Sequence, residues 1–230
     1  MSSTRLPGKI LLPLGKRTVI EMMLHRLSAF KNNIIIATNN DGTQSPLVNK
    51  MLNLGFKVYQ GDTENVLERF ILALRREHAD PEATVVRLTS DCPFMDADLL
   101  TKMIDAFKKE RVDYLSNTLN RTFARGVDIE IMSVASLEKA YEKATTSFEK
   151  EHVTPYIHTT HKLEFSHYSY EALDDTSHFR ITLDEDDDYT LLKRLINRVG
   201  EDASYVQIVD ALTADSKLAK INQNVEQKKC

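Results

Sequence analysis

The chain has 230 residues, of which 42% are hydrophobic and 28% are charged, a composition typical of one soluble globular domain. Because it contains no apolar run of membrane-spanning length and does not open with a signal peptide, we expect a cytoplasmic protein without a membrane partner. The formal net charge of −4 argues against nucleic acid as the main partner, and the two cysteines do not make a disulfide framework.

The predicted elements alternate between helices and strands over the first half of the chain. They follow in the order helix 19–30, strand 33–38, helix 44–54, strand 57–60, helix 63–79, strand 84–89 and helix 96–109. This alternation is typical of a parallel sheet with helices on both faces.

The second half of the chain has a less regular pattern. It contains predicted strands over 113–117, 127–132, 165–170 and 180–183, with helices near 133–144 and 148–158. This half therefore indicates a mixed extension of the sheet. The polar sequence after residue 213 predicts a frayed tail. We expect one domain over residues 1–212 and a polar C-terminal tail over residues 213–230.

The sequence SSTRLPGK at residues 2–9 is the first segment with an indication of chemistry. Its small residues would let main-chain N–H groups approach phosphates closely, and Arg5 and Lys9 add two positive charges. The glycine and lysine spacing of a P-loop is absent. A mobile basic terminus with a Pro-Gly turn explains the same residues equally well.

Two aspartates follow predicted strands. Asp91 lies in RLTSDCPF at residues 87–94, and Asp184 lies in RITLDEDDD at residues 180–188. Ligands of open α/β sheets bind at the carboxyl ends of strands, so the two carboxylates could hold one Mg²⁺ that bridges triphosphate oxygens. Alternatively, Asp91 starts a turn or caps the next helix. The acidic residues 186–188 are explained by compensation of a helix dipole.

Three further segments carry weaker signals. GDTENVLERF at residues 61–70 is typical of a capped, solvated helix. Residues 116–130 offer side chains suited to sugar hydroxyls or an ion pair, although an exposed strand of alternating charges fits too; they are Asn117, Arg125, Asp128 and Glu130. His152 in FEKEHVTPY could act as a general base, but a lone histidine is more often structural.

Taken together, these segments resemble the spore-coat polysaccharide biosynthesis protein F family, which groups with the acylneuraminate cytidylyltransferases. The matching segments run from residue 1 to about residue 198 and are, in order, SSTRLPGK, PLG, ATN, GDTENVLERF, RLTSDCP, DYLSNT, RGVDIEI, EKEHVTPY and RITLDEDDD. Each alone is weak, but their order at compatible spacing is specific. The resemblance implies a three-layer α/β/α, Rossmann-like nucleotide-diphospho-sugar transferase (GT-A-like) fold with a mixed, mostly parallel sheet.

The resemblance also implies a chemistry. It implies an enzyme that activates a sugar or acidic sugar with CTP, or a similar triphosphate, and releases pyrophosphate for surface polysaccharide biosynthesis. Mg²⁺ would be its cofactor, Arg5 and Lys9 its catalytic residues, and a homodimer remains open. The implied site residues are nucleotide-binding Ser2, Ser3, Arg5, Gly8, Lys9, Arg87 and Thr89, metal-binding Asp91 and Asp184, and substrate-binding Asn117, Asp128, Glu130 and His152.

The sequence departs from the family pattern at its start. Relatives usually open with an apolar strand that leads into Gln-Ala-Arg-Met, whereas this sequence begins at the corresponding methionine. Either the start of the sequence is placed too late, or the protein lacks this strand. In the second case we expect an unfilled apolar slot at the centre of the sheet, beside the strand over 33–38. Two other functions stay open: a glycosyltransferase of the same fold that uses a sugar nucleotide, and a catalytically impaired binding protein.

Overall fold

The structure is a computed structural model that describes residues 5–227. Its strands are β1 (Pro13–Leu14), β2 (Arg17–Thr18), β3 (Ile35–Asn39), β4 (Lys57–Gly61), β5 (Thr84–Arg87), β6 (Tyr114–Ser116), β7 (Glu130–Ser133) and β8 (His167–Ser169). Its α-helices are α1 (Val19–Arg26), α2 (Ser45–Asn53), α3 (Val66–Arg76), α4 (Ala97–Glu110), α5 (Val134–Lys143), α6 (Ser147–His152), α7 (Asp186–Val199), α8 (Tyr205–Ala214) and α9 (Ser216–Ala219). The predicted α/β class is confirmed.

The larger strands form a mixed arrangement. β3 and β4 are parallel, with Ile35 opposite Lys57 and Asn39 opposite Gly61. The second sheet has the strand order β5-β7-β6-β8, in which β7 is antiparallel to both neighbours and β8 is parallel to β6. β1 and β2 form a short antiparallel hairpin. The parallel pairs and the antiparallel ladder together give the mixed sheet that the sequence predicts.

A cavity of about 770 Å³ lies between β3 and β5. Residues 34–39 line one side and residues 86–90 the other, and apolar side chains of α1, α3 and α4 cover it. Within residues 5–227, β3 pairs with β4 alone and β5 pairs with β7 alone. The sheet is therefore interrupted at its centre, and the apolar slot predicted beside residues 33–38 is present.

Side-chain caps set the starts of the helices that flank this slot. Asp96 accepts a hydrogen bond from the main-chain N–H of Leu99 at 2.9 Å and begins α4. Asn65 caps α3 in the same way, so this helix begins at Val66 and not at residue 63 as predicted. The amphipathic pattern of each helix then directs its apolar face, such as Leu67 of α3, into the core.

The strand predicted over 180–183 is a single parallel bridge between Arg180 and Arg125. Its main chain bonds to two separate segments instead of to one partner strand. The N–H of Ile181 donates to the carbonyl of Arg125 at 2.7 Å, and the N–H of Leu183 donates to the carbonyl of Asp91 at 2.9 Å. The prediction of a strand is wrong here, although the segment remains hydrogen-bonded to Asp91 in the loop that follows β5.

The helix predicted over 148–158 is broken after His152. Val153 has a φ of 75°, and the N–H of Thr154 donates to the carbonyl of His152 at 2.9 Å, which turns the chain sharply. Pro155 explains the break, because it disfavours helical geometry at the preceding residue and lacks an N–H donor. A π-helical turn then covers Tyr156–Thr160.

The polar segment after residue 213 packs against the domain, so the prediction that it is frayed is wrong as far as Gln227. It contains α9, and Leu218 lies in the main core. Asn222 is only 3% exposed. In the described part of the chain, no helix is long and apolar enough to cross a membrane.

Candidate active site

Lys9 lies between Asp91 and Asp184, the two aspartates that the sequence predicts to share one Mg²⁺. Its Nζ is 2.6 Å from Asp91 Oδ2 and 2.8 Å from Asp184 Oδ1. Burial lowers the pKa of Lys9, but the carboxylates of Asp91 and Asp184 outweigh burial and raise this pKa overall. For Asp184 the directions are opposite. Burial raises its pKa, but the bonds from Lys9 and Arg180 outweigh burial and hold the pKa of Asp184 below its usual value. The site is thus an ammonium group held between two carboxylates.

Three loops bring these charges together. Gly8 adopts a φ of 69°, a left-handed conformation that favours glycine, and leads into a 3-10 turn that begins at Lys9. Asp91 follows β5, and Asp184 lies just before α7. Because Asp96 caps α4, the alternative role of Asp91 as the cap of that helix is wrong.

Two arginines surround Asp184. Arg5 Nη2 is 3.2 Å from Asp184 Oδ2, and Arg5 Nη1 donates to Glu185 Oε1 at 2.9 Å. Arg180 Nη2 donates to Asp184 Oδ2 at 2.6 Å. The sequence identifies Arg5 but misses Arg180. The available signal was its position in RITLDEDDD, four residues before Asp184.

The donor set fits a Mg²⁺ ion that is held jointly with a nucleotide. Mg²⁺ prefers oxygen ligands and commonly binds through one or two carboxylates and substrate phosphates. Asp91 and Asp184 each direct one carboxylate oxygen at a single point, where Lys9 Nζ now lies. Among residues 5–227, no group of three or more His, Cys, Asp or Glu side chains could hold a metal by itself. Phosphate or water oxygens would have to complete the coordination.

Arg87 and Thr89 line the central cavity, as Gly8 and Lys9 also do. Arg87 forms an ion pair with Glu130, and Thr89 Oγ1 is 3.2 Å from the sulfur of Cys92. A nucleotide-binding role for Arg87 and Thr89 stays a prediction that agrees with this position. Ser2 and Ser3 lie outside the described residues.

Glu130 is buried in a hydrogen-bond network of the protein itself. It accepts hydrogen bonds from Tyr114 Oη at 2.6 Å and from Thr154 Oγ1 at 2.5 Å, and it pairs with Arg87. Burial raises the pKa of Glu130, but Arg87 and these hydroxyls lower it overall, so the group stays ionised. The observed contacts give Glu130 a role in holding Arg87, whereas the sequence predicts direct substrate binding.

Asn117 joins β6 to the segment before β7. Its Nδ2 donates to the carbonyl of Val127 at 2.8 Å, and its Oδ1 accepts from the N–H of Ile129 at 2.9 Å. The side chain is only 1% exposed. Both ends of the amide are thus engaged by main chain, which is the bonding of a structural residue.

Asp128 and His152 are the remaining residues predicted to bind the acceptor. Asp128 forms a bidentate ion pair with Arg121, at 2.7 and 2.8 Å, and keeps a third of its side chain exposed. His152 ends α6, with its ring centroid 5.1 Å from that of Phe148. The observed contacts place each beside its own neighbour and not in the Lys9 cluster.

Asp188 has a different role from the one that the sequence predicts. The pattern predicts that Asp186, Asp187 and Asp188 act only on the helix dipole. Asp188 is instead fully buried, and its Oδ1 accepts from Arg180 Nε at 2.8 Å. Its Oδ2 accepts from the main-chain N–H of Asp184 at 2.8 Å. Asp188 therefore fixes the position of Asp184, whereas Asp187 is exposed.

Comparison with solved structures first defines the class of the protein. A CMP:2-keto-3-deoxy-manno-octonic acid synthetase, solved in complex with CTP, superposes with a TM-score of 0.59 over 85% of this chain and 94% of that chain. Its sequence identity is 13%, so it shows the fold alone. A cytidylyltransferase from Leptospira borgpetersenii is 32% identical, with a TM-score of 0.90 over 100% of this chain and 95% of that chain. The class is that of nucleotidyltransferases with a nucleotide-sugar transferase fold.

Sequence comparison then defines the family. A family model described as cytidylyltransferase matches residues 1–225. The chain is also 32% identical to the spore coat polysaccharide biosynthesis protein SpsF of Bacillus subtilis, over 95% of this chain and 93% of that protein. The chain belongs to the cytidylyltransferase family, and the resemblance drawn from the sequence motifs is confirmed.

Proposed function

We propose that the protein transfers the cytidylyl group of CTP to a sugar or acidic sugar and releases pyrophosphate, in the cytoplasm, for surface polysaccharide biosynthesis. The observation that carries this proposal is the placement of Lys9 between Asp91 and Asp184, beside Arg5. These groups form the cation and carboxylate set that a magnesium-bound triphosphate needs. Membership of the cytidylyltransferase family supports CTP as the nucleotide, and the likeness to SpsF supports the polysaccharide pathway.

The proposed reaction is a displacement at the α-phosphorus of CTP. A sugar oxygen forms a bond to this phosphorus, while the bond to the oxygen that bridges to the β-phosphorus breaks. Pyrophosphate leaves with the bonding electrons, and the proton of a hydroxyl acceptor passes to solvent. Lys9 and Arg5 would stabilise the negative charge that develops on the phosphates, so catalysis depends mainly on positioning and electrostatics.

Asp91 and Asp184 would hold Mg²⁺, which supplies further positive charge for the triphosphate. Lys9 Nζ bonds both carboxylates, and its charge would be shared between them and the phosphates of a bound nucleotide. Arg180 remains on the other oxygen of Asp184 and keeps this carboxylate ionised and oriented. We assign acceptor binding to Asp128, which is paired with Arg121 and keeps a third of its side chain exposed.

A product assay tests the proposal. The protein is incubated with Mg²⁺, one of CTP, UTP, ATP or GTP, and a panel of neutral, phosphorylated and acidic sugars. Pyrophosphate release and the product mass are then measured. We expect release with CTP and a product with the mass of a CMP-sugar. A parallel reaction supplies sugar nucleotides in place of the triphosphates, and transfer of their sugar without pyrophosphate release would identify a glycosyltransferase instead. No pyrophosphate from any pair would contradict the proposal.

A further inference from the structure

The C-terminal segment, residues 215–227, folds back onto the aspartate cluster. Leu218 anchors it in the main core. Beyond this anchor, the carbonyl of Glu226 accepts a hydrogen bond from Arg5 Nη1 at 3.2 Å, and Gln227 Oε1 accepts one from Arg180 Nη1 at 2.5 Å. The segment thus contacts both arginines that touch Asp184.

Asn222 is the buried polar side chain of this segment, with 3% of its surface exposed. Its Nδ2 donates to Asp188 Oδ1 at 2.8 Å and to the carbonyl of Arg180 at 3.1 Å. One amide group therefore joins the carboxylate of α7 to the main chain of the segment that carries Asp184. A buried amide with two such partners holds them at a fixed separation, because breaking either bond leaves a polar group unsatisfied.

Asp188 and Arg180 hold Asp184 from two sides. Asp188 Oδ2 accepts from the N–H of Asp184 at 2.8 Å, and Arg180 Nη2 donates to Asp184 Oδ2 at 2.6 Å. These contacts leave the other carboxylate oxygen, Asp184 Oδ1, directed toward Lys9 Nζ. A shift of either supporting residue would move the carboxylate that the proposed function assigns to Mg²⁺.

We propose that Asn222 is a positioning residue for the magnesium-binding carboxylate of Asp184, and that the C-terminal segment is part of the active site. This inference rests on the proposed function, since it takes Asp184 as a ligand of Mg²⁺. Asn222 acts through Asp188 and Arg180 and does not itself contact the reacting groups. Loss of a group that bonds a metal ligand directly typically costs ~10–100-fold in metal affinity or activity, and Asn222, one contact further away, should act at the lower end of this range.

The test compares Asn222→Ala with Asn224→Ala in the full chain. Asn224 is the same residue type in the same segment, but it is exposed. Calorimetry measures the Mg²⁺ dependence of CTP binding and, separately, the affinity for CMP without metal. We expect Asn222→Ala to need ~10-fold more Mg²⁺, with CMP affinity unchanged, because CMP binding uses no metal. Asn224→Ala should match the wild-type protein in both measurements.

Asn222→Ser keeps the proposal testable if the alanine variant does not fold. Its hydroxyl can donate to one of the two acceptors, so we expect an intermediate Mg²⁺ requirement. Equal Mg²⁺ requirements for the wild type and the Asn222 variants, or a proportional loss of CMP binding, would overturn the inference. Asp184→Asn distinguishes the two proposals: if it removes Mg²⁺-dependent CTP binding while the Asn222 variants keep the Mg²⁺ requirement of the wild type, only the inference fails. If the wild type itself shows no such binding, the proposed function fails.

Discussion

We propose that the charge of Lys9 stabilises the pyrophosphate that leaves. Lys9→Ala removes this cation but no group assigned to the base or ribose. We therefore expect CTP affinity to fall ~10–100-fold, the equivalent of a charged hydrogen bond of ~1.5–3 kcal/mol, while CMP affinity stays near that of the wild type. Calorimetric titration with both nucleotides measures the difference. An equal loss for CTP and CMP would rule out this role.

Asp91 and Asp184 should be indispensable for turnover in a way that a nearby carboxylate is not. We expect Asp91→Asn and Asp184→Asn each to abolish Mg²⁺-dependent pyrophosphate release. Asp187→Asn is the matched control, because Asp187 is exposed on the first turn of α7 and contributes only a helix-dipole effect of ~0.3–1 kcal/mol. Circular dichroism confirms that each variant is folded. Near-normal turnover of either test variant would show that its carboxylate is not a metal ligand.

Glu149 should make the stability of the protein depend on acid pH. Burial raises the pKa of Glu149, but the Thr160 hydroxyl and the main-chain and side-chain donors of Thr146 lower it overall, to about 2. A lowered pKa means that this stabilisation is complete above the unfolded value of 4.5 and disappears as the pH falls toward 2. Replacing Glu149 should remove this dependence.

Melting temperatures measured between about pH 5 and pH 2 test that expectation. Glu149→Gln should lose less stability over this range than the wild type and should be less stable at neutral pH. Glu151→Gln, an exposed change on the same helix, should follow the wild-type curve. Parallel curves for the wild type and Glu149→Gln would contradict the assignment.

Single residues differ in how far the sequence predicts them. The pairing of Asp91 and Asp184 is predicted from two strand ends at one edge of the sheet, although only Asp91 follows a strand in the structure. The position of Lys9 beside them is predicted from the family resemblance. The roles of Asn117 and Glu130 do not follow, because the same polar groups can bind a substrate or satisfy buried main chain and side chains. Only the tertiary contacts decide between these roles, and no spacing rule links Asn222 to Asp188.

At the scale of elements, the interrupted sheet is the main source of expected instability. An apolar segment of about 5–6 residues is long enough to pair with β3 and β5 across the cavity. Joining such a segment, followed by Gln-Ala-Arg, to Met1 should satisfy main-chain groups and fill apolar space. Each effect contributes about a few kcal/mol.

Differential scanning calorimetry and CTP titration measure the effect of this extension. Each kcal/mol should raise the melting temperature by ~2–4 °C in a chain of this size. A Gly-Ser extension of the same length is the control and should change nothing. If the apolar extension leaves both the melting temperature and the CTP affinity unchanged, the slot does not accept a strand.

Secondary structure is predicted correctly where it depends on the local sequence pattern and incorrectly where it depends on contacts between distant residues. α3 and α4 have clear amphipathic periods, so their existence follows from the sequence. The segment over 180–183 is β-like in composition but bonds to two different partners, and the break after His152 depends on Pro155. The sequence of the C-terminal segment is polar and predicts a tail. In the structure Leu218 and the buried amide of Asn222 anchor it, and their partners are too distant in sequence for a local pattern to show them.

At the scale of the whole molecule, the proposed reaction needs both halves of the chain. Lys9 and Asp91 belong to the first half, Asp184 belongs to the second, and the C-terminal segment closes against Arg5 and Arg180. The fold and family follow from the order of the motifs, whereas no motif identifies the sugar acceptor. The central claim is therefore the type of transfer, which can be tested separately from the acceptor's identity.

The most direct measurement follows phosphorus isotopes from CTP into the products, once an acceptor from the sugar panel is known. The reaction is run in parallel with CTP labelled at the α-phosphorus and CTP labelled at the γ-phosphorus. We predict that the α label appears in the sugar product and the γ label in pyrophosphate. Transfer of the γ label to the sugar would show a phosphoryl transferase, and a sugar product without either label would show a different transfer. Either result would contradict the account.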